Sequence, residues 1–591
     1  MSARCVVLVA GSEPTEEERS LEKIIDFFGI PSETRAPQAF ASEAVDGRSS
    51  SRYAVMASAA SLSAILQKDS AAAFPPGLRQ AESIFVFDFD DSSESTRLVR
   101  SLTGAPEARV AVNSAGRSVR VTKDMPHVSG ALSGITAQCS SADSGREFRD
   151  VHPAGAFRSV LSTSTGEVCF QSLASDVPLF LSANPVSLDI DRPVDGRFFD
   201  VRRCFGSVIP ALLFLKRAFP EAVGSNRQVG ASLIVDDPAL KRRYGFMHFD
   251  RVLAAMTKHA FCTTVAFIPW NWRRTNPRTA DLFLSNTDRY ALVLHGCDHT
   301  SSEFGTSSVS VLNHKTKAAL HRARRHRERT GIRISPIMVF PQGVFTPEAL
   351  YVLKCNNFTA AVNTEVNPFG PAAPHTRVRE LWDVAIQQYS SFPVFTRRYM
   401  SHGLENFAFD MFLGKPCLLV GHHDVFKDEG RELMAFIDRL NSLAGGVKWG
   451  GLDAVIARSY SSRAGAYGTQ SVRMFANEMV LESGTEAPAR FRVEKQELDR
   501  RAISTVTCDG RDVNWTWDSG FARFDVDMPP GRTAAIRVEH VDPLGESTST
   551  EGARYRMAVR ARRYLSEVRD DYICRSEFLN ACTGKMRSLF R

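Results

Sequence analysis

ASLIVDD (231–237), TTVAFIP (263–269), RYALVLHG (289–296), SPIMVFPQG (335–343), FTAAVN (358–363) and KPCLLVGHHD (415–424) recur through the middle of the chain. Each opens on a short apolar run rich in β-branched residues and ends in Asp, Pro, Gly, Asn or His, which reads as a buried strand closed by a turn. Helical patterns fill the intervals: one at 249–259, a long basic one at 315–330, and one that starts at Pro347. Strand and helix alternating in this way build a parallel sheet with right-handed crossovers, and this many repeats predict a (β/α) barrel over 226–462. Chemistry in such barrels sits past the C-terminal ends of the strands. Those ends carry Asp236-Asp237, His295-Gly-Cys-Asp-His299, Pro341-Gln342-Gly343 and His422-His423.

Outward from this centre the pattern changes twice. At the start, CVVLVA (5–10) reads as a strand; Leu21, Ile24, Ile25 and Phe28 then fall at helical spacing before a Gly29 stop. With β-like runs at 53–57, 84–89 and 178–181, residues 1–195 are expected to form an α/β domain on an open parallel sheet, joined to the barrel by a helix in 196–225. It contains neither GxGxxG nor a GxxxxGK loop, so no nucleotide cradle is expected. Beyond 463 the apolar period becomes two, with Phe491 and Val493, Phe524 and Val526, and Ile536 and Val538, which predicts an antiparallel β-sandwich over 463–550. The tail 551–591 is helical in pattern and Arg-rich. It reads as a solvated or docking helix, the other reading being attachment to an acidic partner or a membrane surface. The run 315–329 reads as a solvated helix face, and neither basic segment is expected to touch the strand-end residues.

The chain has 591 residues, 43% hydrophobic and 24% charged, a globular composition that excludes collagen-like and largely disordered classes. At about 150 residues per domain the length predicts roughly four folded units. The net charge of +7 is small for this size and does not point to nucleic acid. Eleven cysteines occur without CxxC or zinc-ribbon spacing, several inside apolar runs, which fits reduced thiols in a cytoplasmic setting. No run reaches the roughly 20 apolar residues of a transmembrane helix.

Two imidazoles spaced His-x3-His fall on one face of a helical turn, and a carboxylate commonly completes a catalytic divalent site that keeps positions open. His295, His299 and Asp237 fit that set. Asp236-Asp237 alone would be an ordinary strand-end turn. The run Phe87-Asp88-Phe89-Asp90-Asp91 is an internal control: it also ends a strand in acids, yet the histidines that follow it, His127 and His152, share no ligand spacing, so it reads as structural. Cys297 is displaced from His295 by two residues and points elsewhere, whereas Asp298 could orient one of the ligands. Trp270 and Trp272, just past a strand end, could stack on a sugar ring as readily as pack a loop.

The four strand ends together resemble, in order and spacing, the metal-dependent polysaccharide deacetylases of the NodB-homology type, carbohydrate esterase family 4. The resemblance covers about residues 230–460. It implies a deacetylase-type barrel and a hydrolase that removes an N-acetyl group from an amino sugar or glycan precursor. The implied cofactor is a divalent ion, first Zn2+, with Co2+ or Ni2+ as alternatives. Asp236 would be the base and Asp237, His295 and His299 the metal ligands. The backbone N–H of Gln342 would face the oxyanion, and His422 or His423 would be the general acid. Trp382-Asp383 is a loose match to the family's acid-and-tryptophan motif. The chain departs from the pattern with Pro238 for glycine, Gly296 for Ser or Thr, and Val339 where an arginine usually buttresses the base. A glycosidase on a related barrel, with paired carboxylates and no metal, and a non-catalytic carbohydrate-binding protein are the alternatives.

Overall fold

The computed structural model describes residues 4–575 apart from 12, 43–51, 67–73, 114–116, 141–142, 144, 152–156, 225–227, 371–372, 466–468 and 547–551. His152, Cys582 and the last part of the tail lie outside the described residues.

The first helix, Glu16–Phe27, is set by its sequence: Thr15 and Glu18 cap each other's backbone, and Leu21, Ile24 and Ile25 are buried. It serves a mixed sheet, not the parallel one expected. Ser32–Arg35, Cys5–Val9, Tyr53–Ser58, Ser83–Phe87 and Leu179–Ser182 lie parallel in that order. From there the sheet continues antiparallel through Glu167–Ser172, Phe157–Ser162, Ser118–Val121 and Thr136–Gln138. The reason is length: consecutive strands between 157 and 182 are joined by turns too short for a parallel crossover. The acids of the control run stay structural, with Asp88 on Arg146 at 2.6 Å and Asp90 accepting from Ser92 at 2.5 Å.

The connecting helix α1 (Phe205–Ala218) is apolar almost all round and almost wholly buried. Its Phe214 meets Phe85 and Phe180 of the sheet, and the same continuous core runs on to the outer face of the barrel.

The barrel strands are β1 (Val229–Asp236), β2 (Thr263–Phe267), β3 (Tyr290–His295), β4 (Ser335–Val339), β5 (Ala360–Asn363), β6 (Val394–Thr396), β7 (Arg398–Tyr399) and β8 (Cys417–Gly421). All pairs are parallel, in the spatial order β6-β5-β4-β3-β2-β1-β8-β7. Only Arg397 separates β6 from β7. The segment 394–399 therefore bonds to β5 with its first half and to β8 with its second, and so closes the ring. Ile234, Ala266, Val293, Ile337, Val339, Val362, Phe395 and Leu418 fill the interior. Helix α2 (Val309–Thr330) packs outside. The expected solvated face is only half right, because Leu312, Lys315, Thr316, Ala319, Ala323 and His326 are buried.

The two sheets past the barrel enclose a core that includes Phe491, Val493, Phe524, Val526, Ile536 and Val538. One pair in this sandwich, Thr469–Met474 with Ala489–Gln496, is parallel, since the strand between them, Glu478–Glu482, belongs to the opposite sheet. Helix α3 (Ala553–Val568) and the wide turn Arg569–Ile573 follow. This segment docks on the barrel along one face, while most of its residues stay exposed. Arg563, Glu567, Asp570 and Asp571 are buried against the barrel: Tyr244 donates to Asp570 at 2.6 Å, the Gly245 N–H donates to Asp571 at 2.7 Å, and Lys241 and Arg274 pair with Glu567. No helix among the described residues is long and apolar enough to cross a membrane.

Candidate metal centre and active site

Asp237 leaves the end of β1 with a left-handed backbone, φ 79°, which turns its carboxylate across the barrel mouth. His295 ends β3. The ligand loop that follows is not the helical turn its spacing suggested: Gly296 and His299 both take positive φ, 61° and 55°, and the chain doubles back. The imidazoles converge all the same. Asp237 Oδ1 lies 3.4 Å from His295 Nε2 and 3.0 Å from His299 Nε2, and one ligand atom from each residue falls within 4.8 Å of the others. His295 Nδ1 sits 3.0 Å from the Val339 carbonyl, a contact that requires the proton on Nδ1 and, in the neutral ring, leaves the Nε2 lone pair free for a cation. Asp237 Oδ1 is buried with no hydrogen-bond partner. A carboxylate and two imidazoles converging in a buried site form a donor set that fits a divalent cation.

Two features hold this loop. Glu303 accepts the backbone N–H groups of Cys297, Asp298 and His299 at 2.9, 3.1 and 3.1 Å. At Gly296 an added Cβ would stand 2.0 Å from Glu303 Oε1 and 2.5 Å from Pro341 Cγ, so Ser or Thr does not fit there. Asp298 does not orient a histidine. It is fully buried and binds Lys315, Arg322 and Tyr555, the last at 2.7 Å, tying α2 and α3 to the ligand loop. Cys297 is buried with its Sγ 3.0 Å from Arg322 and 3.7 Å from Asp298.

Asp236 is held by Arg397, through two bonds of 2.7 Å, with both side chains almost wholly buried. Burial pushes the carboxyl up, and the charges of Arg397, His295 and His422 outweigh it, so its pKa lies below the ordinary carboxylate value. Val339 has no room for such an arginine, being part of the barrel's interior packing; the guanidinium comes instead from the junction of β6 and β7. Its signal in the sequence is a charged pair, Arg397-Arg398, inside the otherwise apolar stretch 392–399. Arg398 goes to a different partner, Asp410, at 2.6 Å.

The two late histidines separate. His422 lines the cavity with Asp236, Asp237, Gln342 and Gly343. His423 is turned away: its Nε2 is 3.4 Å from Asp570, and its ring packs on Tyr244 and Phe246. Gln342 sits at φ 59°, ψ 10°, and its side chain accepts from the Ser302 N–H at 3.0 Å. None of the three tryptophans lines this cavity of about 440 Å³. Trp270 and Trp272 lie under arginines, Arg322 at 4.8 Å and Arg273 at 4.5 Å. Trp382 is buried between Phe27, Phe199 and Phe409. What closes the cavity instead is the tail, through Arg562, Arg563, Ser566, Arg569 and Asp570, residues for which the sequence offered no signal.

No family model and no curated protein matches the chain. Solved structures similar to it include polysaccharide and peptidoglycan deacetylases. A peptidoglycan deacetylase from Bacillus subtilis is 11% identical, over 39% of this chain and 90% of its own, with a TM-score of 0.24. A family 4 carbohydrate esterase from Streptomyces lividans is 13% identical over 36% and 85%, TM-score 0.22. An allantoinase is 11% identical over 38% and 88%, TM-score 0.27.

Proposed function

We propose that the chain is a divalent-metal-dependent hydrolase that removes an N-acetyl group from an amino sugar or glycan precursor. One observation carries this reading: ligand atoms of Asp237, His295 and His299 converge to within 4.8 Å of one another beside a buried, arginine-held carboxylate and a cavity-facing imidazole. Asp237, His295 and His299 would hold the ion, Zn2+ first among the choices for a carboxylate and two imidazoles. A divalent ion in that place supplies Lewis acidity toward water and an acyl oxygen.

The chain's own residues do the rest. Asp236, kept ionised and aimed by Arg397, takes the proton of the attacking water. The backbone N–H of Gln342 faces the oxygen on which charge develops. His422, across the same cavity, gives a proton to the departing amine, while His423 positions the tail through Asp570. A glycosidase reading is weaker because Asp236 is bound by Arg397 and Asp237 faces two imidazoles in a metal-ligand arrangement, so the adjacent pair at the end of β1 is not a pair of free carboxyl groups.

The test is metal analysis with acetate release from a panel of N-acetylhexosamines. One ion per chain in the wild type, its loss in His295→Ala, and retained metal without acetate release in Asp236→Asn are expected. A preparation that takes up no Zn, Co or Ni, or equal acetate release from wild type and Asp236→Asn, overturns the reading.

A further inference from the structure

The cavity wall supplied by the tail carries more positive charge than the barrel needs. Five arginines line the cavity, Arg197, Arg397, Arg562, Arg563 and Arg569, against four carboxylates, Asp236, Asp237, Glu365 and Asp570. Three of the arginines have acidic partners: Arg397 on Asp236 at 2.7 Å, Arg569 on Asp570 at 2.6 Å and Arg197 near Glu365 at 3.7 Å. The other two, consecutive on α3, do not. Arg562 has no hydrogen-bond or ion-pair partner among the described residues. Arg563 is only 7% exposed, its Nε is buried without a partner, and its other contacts are His299 Nδ1 and Ser566 Oγ, each at 3.4 Å. Asp237 and Glu303 act on Arg563 only from a distance, and a buried guanidinium with no carboxylate in contact is expensive. A divalent ion at Asp237, His295 and His299 would raise the local excess to three positive charges.

Such an arrangement is completed by an anion that arrives with the ligand. A planar guanidinium fork suits phosphate oxygens, and a dianionic group matches the excess better than a single carboxylate does. We propose that Arg562 and Arg563 bind a phosphate or diphosphate ester carried by the acetylated sugar, so that the tail selects anionic substrates over neutral glycans. This rests on the hydrolase reading of the same cavity. The ester has two sources, a soluble sugar phosphate or nucleotide sugar, and a lipid-linked diphosphate. The second is worth a separate arm because the helix that bears these arginines and the turn after it expose Met557, Leu565, Val568 and Tyr572, 45 to 70% accessible.

Acetate release is measured on the metal-loaded full chain with N-acetylglucosamine, its 1-phosphate, its uridine diphosphate conjugate, and its polyprenyl diphosphate conjugate in detergent. Phosphorylated forms are expected to exceed the neutral sugar in kcat/KM by roughly tenfold or more, the scale of one charge-assisted hydrogen bond. Whichever conjugate reacts fastest names the source. Arg562→Gln, at a partly buried position outside the apolar core, is expected to cut the ratio of phosphorylated to neutral kcat/KM by about tenfold, mostly through KM. Arg563→Lys is expected to restore part of what Arg563→Gln removes. Calorimetric binding of pyrophosphate to the same preparations separates the two levels. Binding that weakens in Arg562→Gln, without acetate release from any sugar, keeps the anion site and sinks the hydrolase. Equal turnover of neutral and phosphorylated sugars, with pyrophosphate binding unchanged in Arg562→Gln and Arg563→Gln, overturns the anion site and leaves the hydrolase standing.

Discussion

Removing the guanidinium from Arg397, as in Arg397→Met, leaves Asp236 as a carboxylate in the barrel interior without its partner. The two side chains are 3% and 4% exposed and share two bonds of 2.7 Å, so water cannot take over the lost contacts. Breaking a buried pair by removing one member costs about 3–5 kcal/mol, and the Arg397 Nε contact to Thr364 at 3.2 Å goes with it. Asp236→Leu leaves the reverse problem, a buried guanidinium, at a similar cost. The double variant Asp236→Leu/Arg397→Met removes both charges and is expected to lose no more than about 1 kcal/mol, since an apolar pair of similar volume often replaces an ion pair without penalty. The coupling should therefore reach several kcal/mol, opposite in sign to the two single losses. Amide protection of β3 in a urea series, followed by hydrogen exchange, reads the barrel apart from the other cores. Single losses that add in the double variant to within about 0.5 kcal/mol would refute the assignment of Arg397 as Asp236's counter-ion. In the Arg397→Met protein the burial that raises the Asp236 carboxyl is opposed only by His295 and His422, the largest opposing charge having gone. The acidic limb of the acetate-release profile should accordingly move to higher pH, because a base with a raised pKa is protonated over more of the range.

Gly296→Ser restores a residue common in the family the chain resembles, yet should weaken it: the new Cβ would stand 2.0 Å from Glu303 Oε1 at a backbone φ of 61°. Displacing Glu303 loosens the amides of 297–299, and metal affinity by competition with a chelator should fall about 10- to 100-fold, the usual range for losing support around a metal ligand; unchanged affinity would mean that Glu303 does not set the loop. Acid should release the tail. Burial raises the Asp570 carboxyl, but His423, Arg569 and Tyr244 bring its pKa down to about 2. A depressed folded-state pKa contributes stability that is complete above the unfolded value of about 4 and disappears as pH falls toward 2. Pepsin cleavage within 552–575 should rise across that window in the wild type and be high throughout in Asp570→Asn; flat wild-type cleavage from pH 5 to 2.5 would disprove the linkage.

What the sequence disclosed, and what it hid, follows from how far apart the interacting residues lie. Asp236-Asp237 and His295 to His299 were legible because each pair sits at one strand end, where the apolar run marks the strand and the polar residues its mouth. The choice between His422 and His423 was not, since adjacent residues past a strand end point to opposite sides and only the turn decides which one meets the cavity. Arg397 lies 161 residues from Asp236; the charged pair Arg397-Arg398 marks the place, but the partner depends on the break between β6 and β7 that closes the barrel, a tertiary event the local sequence does not encode. The tail was hidden for a different reason. Helices that dock through an apolar stripe announce themselves by periodicity, but α3 and the turn after it dock through Arg563, Glu567, Asp570 and Asp571 and turn Leu565 and Tyr572 to solvent. On sequence alone that is a basic helix, solvated or docking, with no stripe to say which. A polar docking face is stable only where partners of opposite charge wait for it, and the barrel mouth supplies them in Lys241, Arg274, His423 and the Gly245 N–H. The same residues that made the tail look free of the site are the ones that seat it there, and Arg562 and Arg563 enter the cavity because Glu567 and Asp570 have fixed the helix around them.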